Sequence, residues 1–337
     1  MPATTPNWID QLNAHGKNRE PAFLLVDFAN KSTQFWSADQ WHNDPHLQFA
    51  FPGFSPKPAE LADYVYPGDL VCGRLYVGED HYQKAFGIVQ SGLRAGNSFL
   101  TNLTMPTEVE LSATLKEVYE LADAPYRIWW KDKFVCFSPE TFVKVTPDGI
   151  IYSHPMKGTA PDSPAGREYL RTSQKEIAEH ATIVDLIRND LSQVAKNVRV
   201  DQYRYLDRIP TPQGGLLQTS TKISGQLPRN WHSQLGNIVN RLLPAGSVSG
   251  APKPATIEII ETAEGRTRGY YCGIGLYFDG YQVDSCVLIR FIEKAETGQL
   301  LFWAGGGVTA RSNWVDEYRE LQSKVRIPLA PKTFSLH

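Results

Sequence analysis

An α+β fold with mainly antiparallel sheets is the architecture this sequence predicts. Its strand-like runs come in adjacent groups at hairpin spacing, and its helical stretches lie between those groups. A doubly wound parallel sheet would instead alternate single strands with helices. Short apolar or period-two runs bounded by turn residues predict strands at Phe23–Phe28, Leu70–Val77, Arg127–Trp130, Phe134–Phe137, Phe142–Val145 and Ile150–Ser153. Strands return at Tyr270–Phe278, Ser285–Ile292 and Leu300–Trp303. The clearest helices are Tyr82–Ala95, Glu168–Asp190, Trp231–Leu243 and Asn313–Lys324. No Pro/Gly/Ser-rich linker divides the chain, and the chemistry-bearing motifs lie on both sides of the Asp162–Gly166 loop. Residues 1–337 are therefore expected to form one domain.

A content of 42% hydrophobic and 21% charged residues is that of an ordinary soluble protein and excludes a disordered tail protein. The net charge of −2 comes without a dense Lys/Arg patch, which argues against nucleic acid as a partner and for a small ligand. Cys72, Cys136, Cys272 and Cys286 form no CxxC pair and read as buried free thiols in a reducing cytosol. The first twenty residues contain no apolar signal core, and no stretch reaches the roughly 18 continuous apolar residues of a membrane span. A cytoplasmic protein with no membrane partner is expected.

Glu176 and Glu179 stand three apart on one helix face, with the apolar Ile183, Val184, Leu186 and Ile187 following. Glu317, Glu320 and Lys324 repeat the device near the C-terminus at i, i+3 and i+7. Singly, such pairs are ordinary solvated faces; together they could supply the oxygen ligands by which proteins hold Mg²⁺. Gly305, Gly306 and Gly307 follow an apolar run and could form either a turn whose N–H groups bind an anion or a tight bend. The run Gly246–Lys253 looks Walker-like but lacks that motif's order and follows a helix, so nucleotide binding is rejected. Lys157 reads as a residue of a Pro/Gly-bounded turn after the strand Ile150–Ser153, and becomes a nucleophile only if its amine is neutral. His180 reads as a packing or hydrogen-bonding residue.

Six motifs occur in order: PMKGT (155–159), KEIAEHATIVDLIRNDL (175–191), LPAGSVSGAPK (243–253), the Asp284 to Arg290 strand, AGGGV (304–308) and DEYRELQSK (316–324). Together they resemble the chorismate-utilising enzymes over roughly residues 70–328, with residues 1–69 as a divergent N-terminal part of the same domain. The resemblance implies a layered α/β/β/α core with two large, mainly antiparallel, orthogonally packed sheets flanked by helices. It implies Mg²⁺ as cofactor, held by Glu179 and Glu320 with Glu176 and Glu317 as outer partners. It implies chorismate contacts from Gly158, Thr159, Ser247, Tyr271, Arg290, Gly305, Gly306, Gly307 and Lys324. A guanidinium with fixed N–H donors suits planar carboxylates.

Within the family, lysine at position 157 implies the aminodeoxychorismate synthase component I branch, a transaminase-class activity of folate and para-aminobenzoate synthesis. Lys157 would add covalently to the ring and Glu140 would be the acid. Leu100 stands where isochorismate synthases have a water-activating lysine, and Leu217 where anthranilate synthases have histidine. Ammonia would come from a separate glutamine amidotransferase subunit, since the chain carries no Cys/His amidotransferase motif. The alternatives are anthranilate synthase component I, a lyase, and a non-catalytic glutaminase-binding scaffold.

Overall fold

The computed structural model describes residues 7–55, 69–211 and 214–329. Two antiparallel sheets organise them. The nine-stranded sheet runs in the order Met156–Pro161, Gly214–Gln226, Ile150–Ser153, Thr141–Val145, Val283–Val287, Ile274–Phe278, Ala22–Val26, Thr33–Ser37, and Lys196–Thr211 pairs with Gly214–Gln226. The eight-stranded sheet runs Gly250–Ala251, Leu100–Leu111, Leu300–Val308, Phe291–Lys294, Phe134–Ser138, Tyr126–Trp130, Leu47–Ala50, and Val71–Leu75 pairs with Leu100–Leu111. Strands from the first seventy residues thus enter both sheets.

The sheets bury one face against each other. Phe23 of the first stacks on Phe49 of the second with centroids 3.9 Å apart. Gly275 has no Cβ because one would come 2.8 Å from Ile128 Cδ1 across the interface. Strand Phe134–Ser138 is buried on both sides. Phe134 and Cys136 join the core between the sheets, whereas Val135 and Phe137 join a second core under the helices, as a period-two strand requires. Helices Glu79–Arg94, Leu115–Leu121, Lys253–Glu264 and Trp314–Lys324 cover that second core with Phe86, Val89, Val118, Ala263 and Leu321. Helix Asn7–Asn18 buries Trp8, Ile9 and Leu12 in the same core as Leu235, Ile238 and Leu242 of helix Leu235–Leu242. The expected α+β architecture of two large antiparallel sheets flanked by helices is borne out. No helix among the described residues is long and apolar enough to cross a membrane.

Several expectations are corrected. The stretch Glu168–Asp190 is two helices, Pro164–Thr172 and Gln174–Ser192, because Ser173 adopts extended backbone and its hydroxyl caps the second by accepting from Glu176 N–H. Trp231–Leu243 opens with a 3₁₀ turn, Trp231–Gln234, before its α-helix. The run Ser285–Ile292 is not one strand. It leaves the first sheet at Val287, turns through Arg290 at φ 53°, and joins the second at Phe291. Residues Tyr270–Gly273 form a turn before strand Ile274–Phe278. The glycine run forms no nest, since Gly305, Gly306 and Gly307 lie in strand Leu300–Val308, opposite Thr104, Leu103 and Asn102. Cys72 is exposed, while Cys136, Cys272 and Cys286 are buried free thiols.

One buried ion pair locks the elements behind the glycine strand. Arg268 and Glu264 are each 1% exposed, with Nη2 2.6 Å from Oε1. Arg268 also donates to the carbonyls of Val248 and Asn102, both at 2.7 Å, and Glu264 Oε1 accepts from Thr104 N–H and Oγ1 at 2.9 Å. Arg268→Met leaves a buried carboxylate without a countercharge and is expected to cost about 3–5 kcal/mol, read as a lower urea midpoint, with Arg268→Met/Glu264→Leu recovering part of it.

Candidate functional site

Lys157 sits on a β-bulge. Met156 pairs with Ser220 and Thr159 with Gln218, so Lys157 and Gly158 together oppose Thr219. An extra residue re-aims the side chains that follow the regular alternation. Gly158 has φ +86°, and a Cβ there would come 2.7 Å from Glu176 Oε2, so both conformation and space require glycine. The expected turn is therefore a bulged strand, Met156–Pro161; the Pro and Gly that suggested a turn mark the irregularity. From this bulge the Lys157 amine reaches the second sheet, where a Cβ on Gly307 would lie 2.8 Å from Nζ and 3.0 Å from Leu100 Cδ1. The amine is 3.7 Å from Glu179 Oε2, with 23% of the Lys157 side chain exposed.

The two acidic helices close on the same place. A Cβ on Gly306 would lie 3.3 Å from Glu317 Oε2, 3.4 Å from Glu320 Oε1 and 3.6 Å from Lys324 Nζ. Gly306 and Gly307 therefore give clearance to charged side chains. Lys324 Nζ bonds Glu320 Oε1 at 2.6 Å and donates to the Gly305 carbonyl at 2.7 Å. Tyr169 OH donates to Glu176 Oε1 at 3.2 Å, and Lys175 Nζ stands 4.0 Å from Glu179 Oε1. Burial pushes Glu179 and Glu317 above the usual carboxylate range, reinforced at Glu179 by Glu176 and Glu320 and at Glu317 by Glu320. Burial also opposes ionisation of Glu320, but Lys324, with Lys157 and Lys175, outweighs it and holds that carboxyl low. Lys324 is itself lowered, by burial and by Arg290 and Lys157, against the pull of Glu320.

Among the described residues no three His, Cys, Asp or Glu side chains converge as a complete metal-ligand set. Two features nevertheless fit a hard cation. Glu317 and Glu320 converge in front of Gly306, and Glu179 Oε1 is buried with no hydrogen-bond partner among the described residues. Oxygen-only ligation through one or two carboxylates, completed by water and an anionic substrate, is the usual manner of holding Mg²⁺.

The acid and the arginine flank two paired strands, Phe134–Ser138 and Phe291–Lys294. Glu140 follows strand Phe134–Ser138 and accepts a short hydrogen bond from Ser247 Oγ. Burial raises the Glu140 carboxyl; the Ser247 bond and the charges of Lys157, Arg290 and Lys324 partly offset this. Arg290 is half-buried in the left-handed region, its carbonyl accepting from Phe137 N–H at 3.0 Å. Such a conformation costs on the order of 1–3 kcal/mol and marks a place where side-chain direction matters. Tyr271 is buried and stacks on Trp303 at 5.2 Å; burial lifts its phenol far above the ordinary value, with Arg290 opposing.

The structure thus gathers Lys157, Glu140, Ser247, Glu179, Glu317, Glu320, Lys324 and Arg290 into one electrostatically coupled cluster, with Glu176 bordering it at Gly158. Thr159 stands apart, exposed on its strand opposite Gln218. Leu217 packs in an apolar cluster with Ala160 and Leu170, away from the charged groups. Two contributors escaped the sequence reading. The i, i+4 spacing of Lys175 and Glu179 could have revealed their pairing. Tyr169 stands at i, i+7 from Glu176, on one face of the expected helix, and the break at Ser173 brings the two into contact.

Residues 72–330 match the family of chorismate binding enzymes. An "Uncharacterized PabA-like protein" of Haemophilus influenzae is 43% identical over 333 residues, spanning 97% of this chain and 98% of that one. "Aminodeoxychorismate synthase component 1" of Escherichia coli is 32% identical over 322 residues, spanning 90% of this chain and 67% of its own length. Among solved structures, MenF, the menaquinone-specific isochorismate synthase of Escherichia coli, superposes with a TM-score of 0.68 over 94% of this chain and 79% of that one. At 15% identity this likeness shows the fold alone. With the family match spanning most of the chain, this protein belongs to the chorismate-binding enzymes and is a chorismate-utilising enzyme.

Proposed function

We propose that the protein is the chorismate-aminating component of an aminodeoxychorismate synthase, replacing the C4 hydroxyl of chorismate by an amine. The observation that carries this reading is the Lys157 amine, delivered by a bulge to the glycine strand with Leu100 beside it. A lysine there supplies a nucleophile once its amine has given up its proton, and a leucine cannot activate water. The relative of that name at 32% identity supports the same reading.

The Lys157 lone pair forms a bond to ring C2, the ring double bonds shift, and the C4–O bond breaks, the oxygen leaving as water with the Glu140 proton. Ammonia then bonds to C4, the double bonds return, and the C2–N bond breaks, freeing the lysine. Splitting one substitution into two lowers each barrier. Arg290 would bind a substrate carboxylate, with Tyr271 and Ser247 as further contacts. A magnesium ion held by Glu179 and Glu320, with Glu176 and Glu317 behind them, would offset carboxylate charge on the substrate. Ammonia would be supplied by a separate glutaminase subunit.

Purified protein with chorismate, Mg²⁺ and ammonium should form 4-amino-4-deoxychorismate, resolved by chromatography. Anthranilate with pyruvate release would overturn the reading in favour of the lyase; no turnover combined with tight glutaminase binding would favour a scaffold. Glu179→Gln and Glu320→Gln should each raise the Mg²⁺ concentration for half-maximal rate by at least about tenfold, and Glu176→Gln by less, since outer partners tune a metal site that direct ligands build. A metal titration of the initial rate checks this.

A further inference from the structure

His180 is fully buried, one residue from Glu179 on helix Gln174–Ser192, and takes no part in the steps above. Its Nε2 is 2.6 Å from Thr221 Oγ1, and its ring also meets the Lys157 backbone. Thr221 is equally buried and lies on strand Gly214–Gln226, the strand on which the Lys157 bulge is built. Thr221 N–H donates to the Pro155 carbonyl at 3.1 Å, two residues before Lys157. Thr221 Oγ1 also accepts from Arg204 N–H at 3.0 Å, which leaves its hydroxyl proton for His180. Arg204 sits at φ 48°, within a register shift of strand Lys196–Thr211 between Gln202 and Tyr205. Thr221 therefore ties the helix, through its hydroxyl, to the strand irregularity at Arg204 and, through its backbone N–H, to Pro155 beside the bulge that carries the lysine.

We propose that His180 is a positioning residue for Lys157: through Thr221 it seats helix Gln174–Ser192 on the bulged strand and so sets the separation of the Lys157 amine from Glu179. Beyond this bond, the helix is held near the bulge by the Lys157–Glu179 ion pair, at its far end by Lys253 to Asp190, and otherwise by apolar contacts, which are non-directional and tolerate small rotations and slides. A hydrogen bond one residue from Glu179 fixes both its height and its rotation. The inference rests on reading Lys157 as the nucleophile, for which small misplacement is costly.

The test uses the full chain with chorismate, Mg²⁺ and ammonium, and a second readout independent of turnover. That readout is the rate at which an N-hydroxysuccinimide acetate ester labels Lys157, followed by peptide mass spectrometry with the remote Lys294 as internal control. His180→Leu and Thr221→Val should each lower kcat by about 10- to 100-fold with KM for chorismate nearly unchanged. They should change the labelling rate of Lys157 but not of Lys294, and the double variant should be no worse than either single. His180→Gln, whose amide reaches the place of Nε2, should restore most of kcat; His180→Asn should not.

If His180→Leu fails to fold, Thr221→Val and the glutamine/asparagine pair carry the same comparison. Wild-type kcat and Lys157 labelling in folded Thr221→Val or His180→Asn would overturn the proposal. So would glutamine and asparagine variants impaired alike. A Lys157 labelling change in variants of a protein that never aminates chorismate would leave the positioning role standing and remove the amination reading instead.

Discussion

Lys157→Ala should bind chorismate with nearly unchanged affinity and lose amination by at least about 10³-fold in kcat, because the neighbouring amine of Lys324 is held by Glu320 and the Gly305 carbonyl and does not replace it. Binding survives because the groups expected to hold the substrate, Arg290, Tyr271 and Ser247, take their positions from the Arg290 corner and the Gly246–Val248 turn. A structural alternative is that Lys157 is only a countercharge for Glu179, 3.7 Å away. Lys157→Arg separates the two. It keeps the positive charge, but a guanidinium cannot give up its proton to attack carbon. A nucleophile predicts that arginine is as inactive as alanine, whereas a countercharge predicts that arginine restores the rate. Rapid quench with mass spectrometry adds a direct observable, a substrate-derived adduct on the Met156–Pro161 peptide of the wild type and none in either variant. Turnover by Lys157→Ala within tenfold of wild type would remove the lysine from the chemistry.

The parts of the site legible in the sequence were those where chemistry sits on regular helices. Glu176 and Glu179, and Glu317, Glu320 and Lys324, follow directly from helical spacing, and the structure keeps each set on one face. Lys157, Arg290 and the glycines were identified by motif, but their backbone was misjudged. Lys157 and Arg290 lie at local irregularities imposed by tertiary packing, and the glycines lie in a regular strand whose neighbours leave no room for side chains. The glycine run looked like a turn because three glycines in sequence usually are one; here the adjacent strand at Leu103 and Thr104 crowds Gly305, and charged side chains from the neighbouring helix and from Lys157 occupy the space the Cβ atoms of Gly306 and Gly307 would take. The corner at Arg290 lay hidden inside an apolar run, because both halves of Ser285–Ile292 are buried, though in different sheets. Periodicity reports burial but not which sheet a strand joins. The long strands Lys196–Thr211 and Gly214–Gln226 went unread because their sequences are rich in charged and polar residues, which suppress the apolar alternation.

Glu140→Gln should lower kcat by about 10²- to 10⁴-fold, the usual contribution of a positioned acid, and should also change the shape of the pH profile. Burial raises the Glu140 carboxyl, so it keeps its proton to higher pH than an exposed glutamate would. The acid acts in its protonated form, so the sign is set. The wild-type rate falls as pH rises through the raised value, and that limb is absent in Glu140→Gln, whose amide does not titrate. Ser247 provides a second, opposite lever. Its hydroxyl donates to Glu140 Oε1 and so favours the carboxylate. Ser247→Ala removes that preference and should move the falling limb to higher pH, whereas loss of a purely structural serine would lower the rate without moving it. Lys157 and Arg290 also favour the carboxylate, so substrate that neutralises either should lift the Glu140 proton affinity further. The limb in kcat should therefore lie above the limb in kcat/KM, since the first reports the complex and the second the free enzyme. Initial rates across pH for wild type, Glu140→Gln and Ser247→Ala decide it, and a limb that survives unchanged in Glu140→Gln assigns the proton to another group.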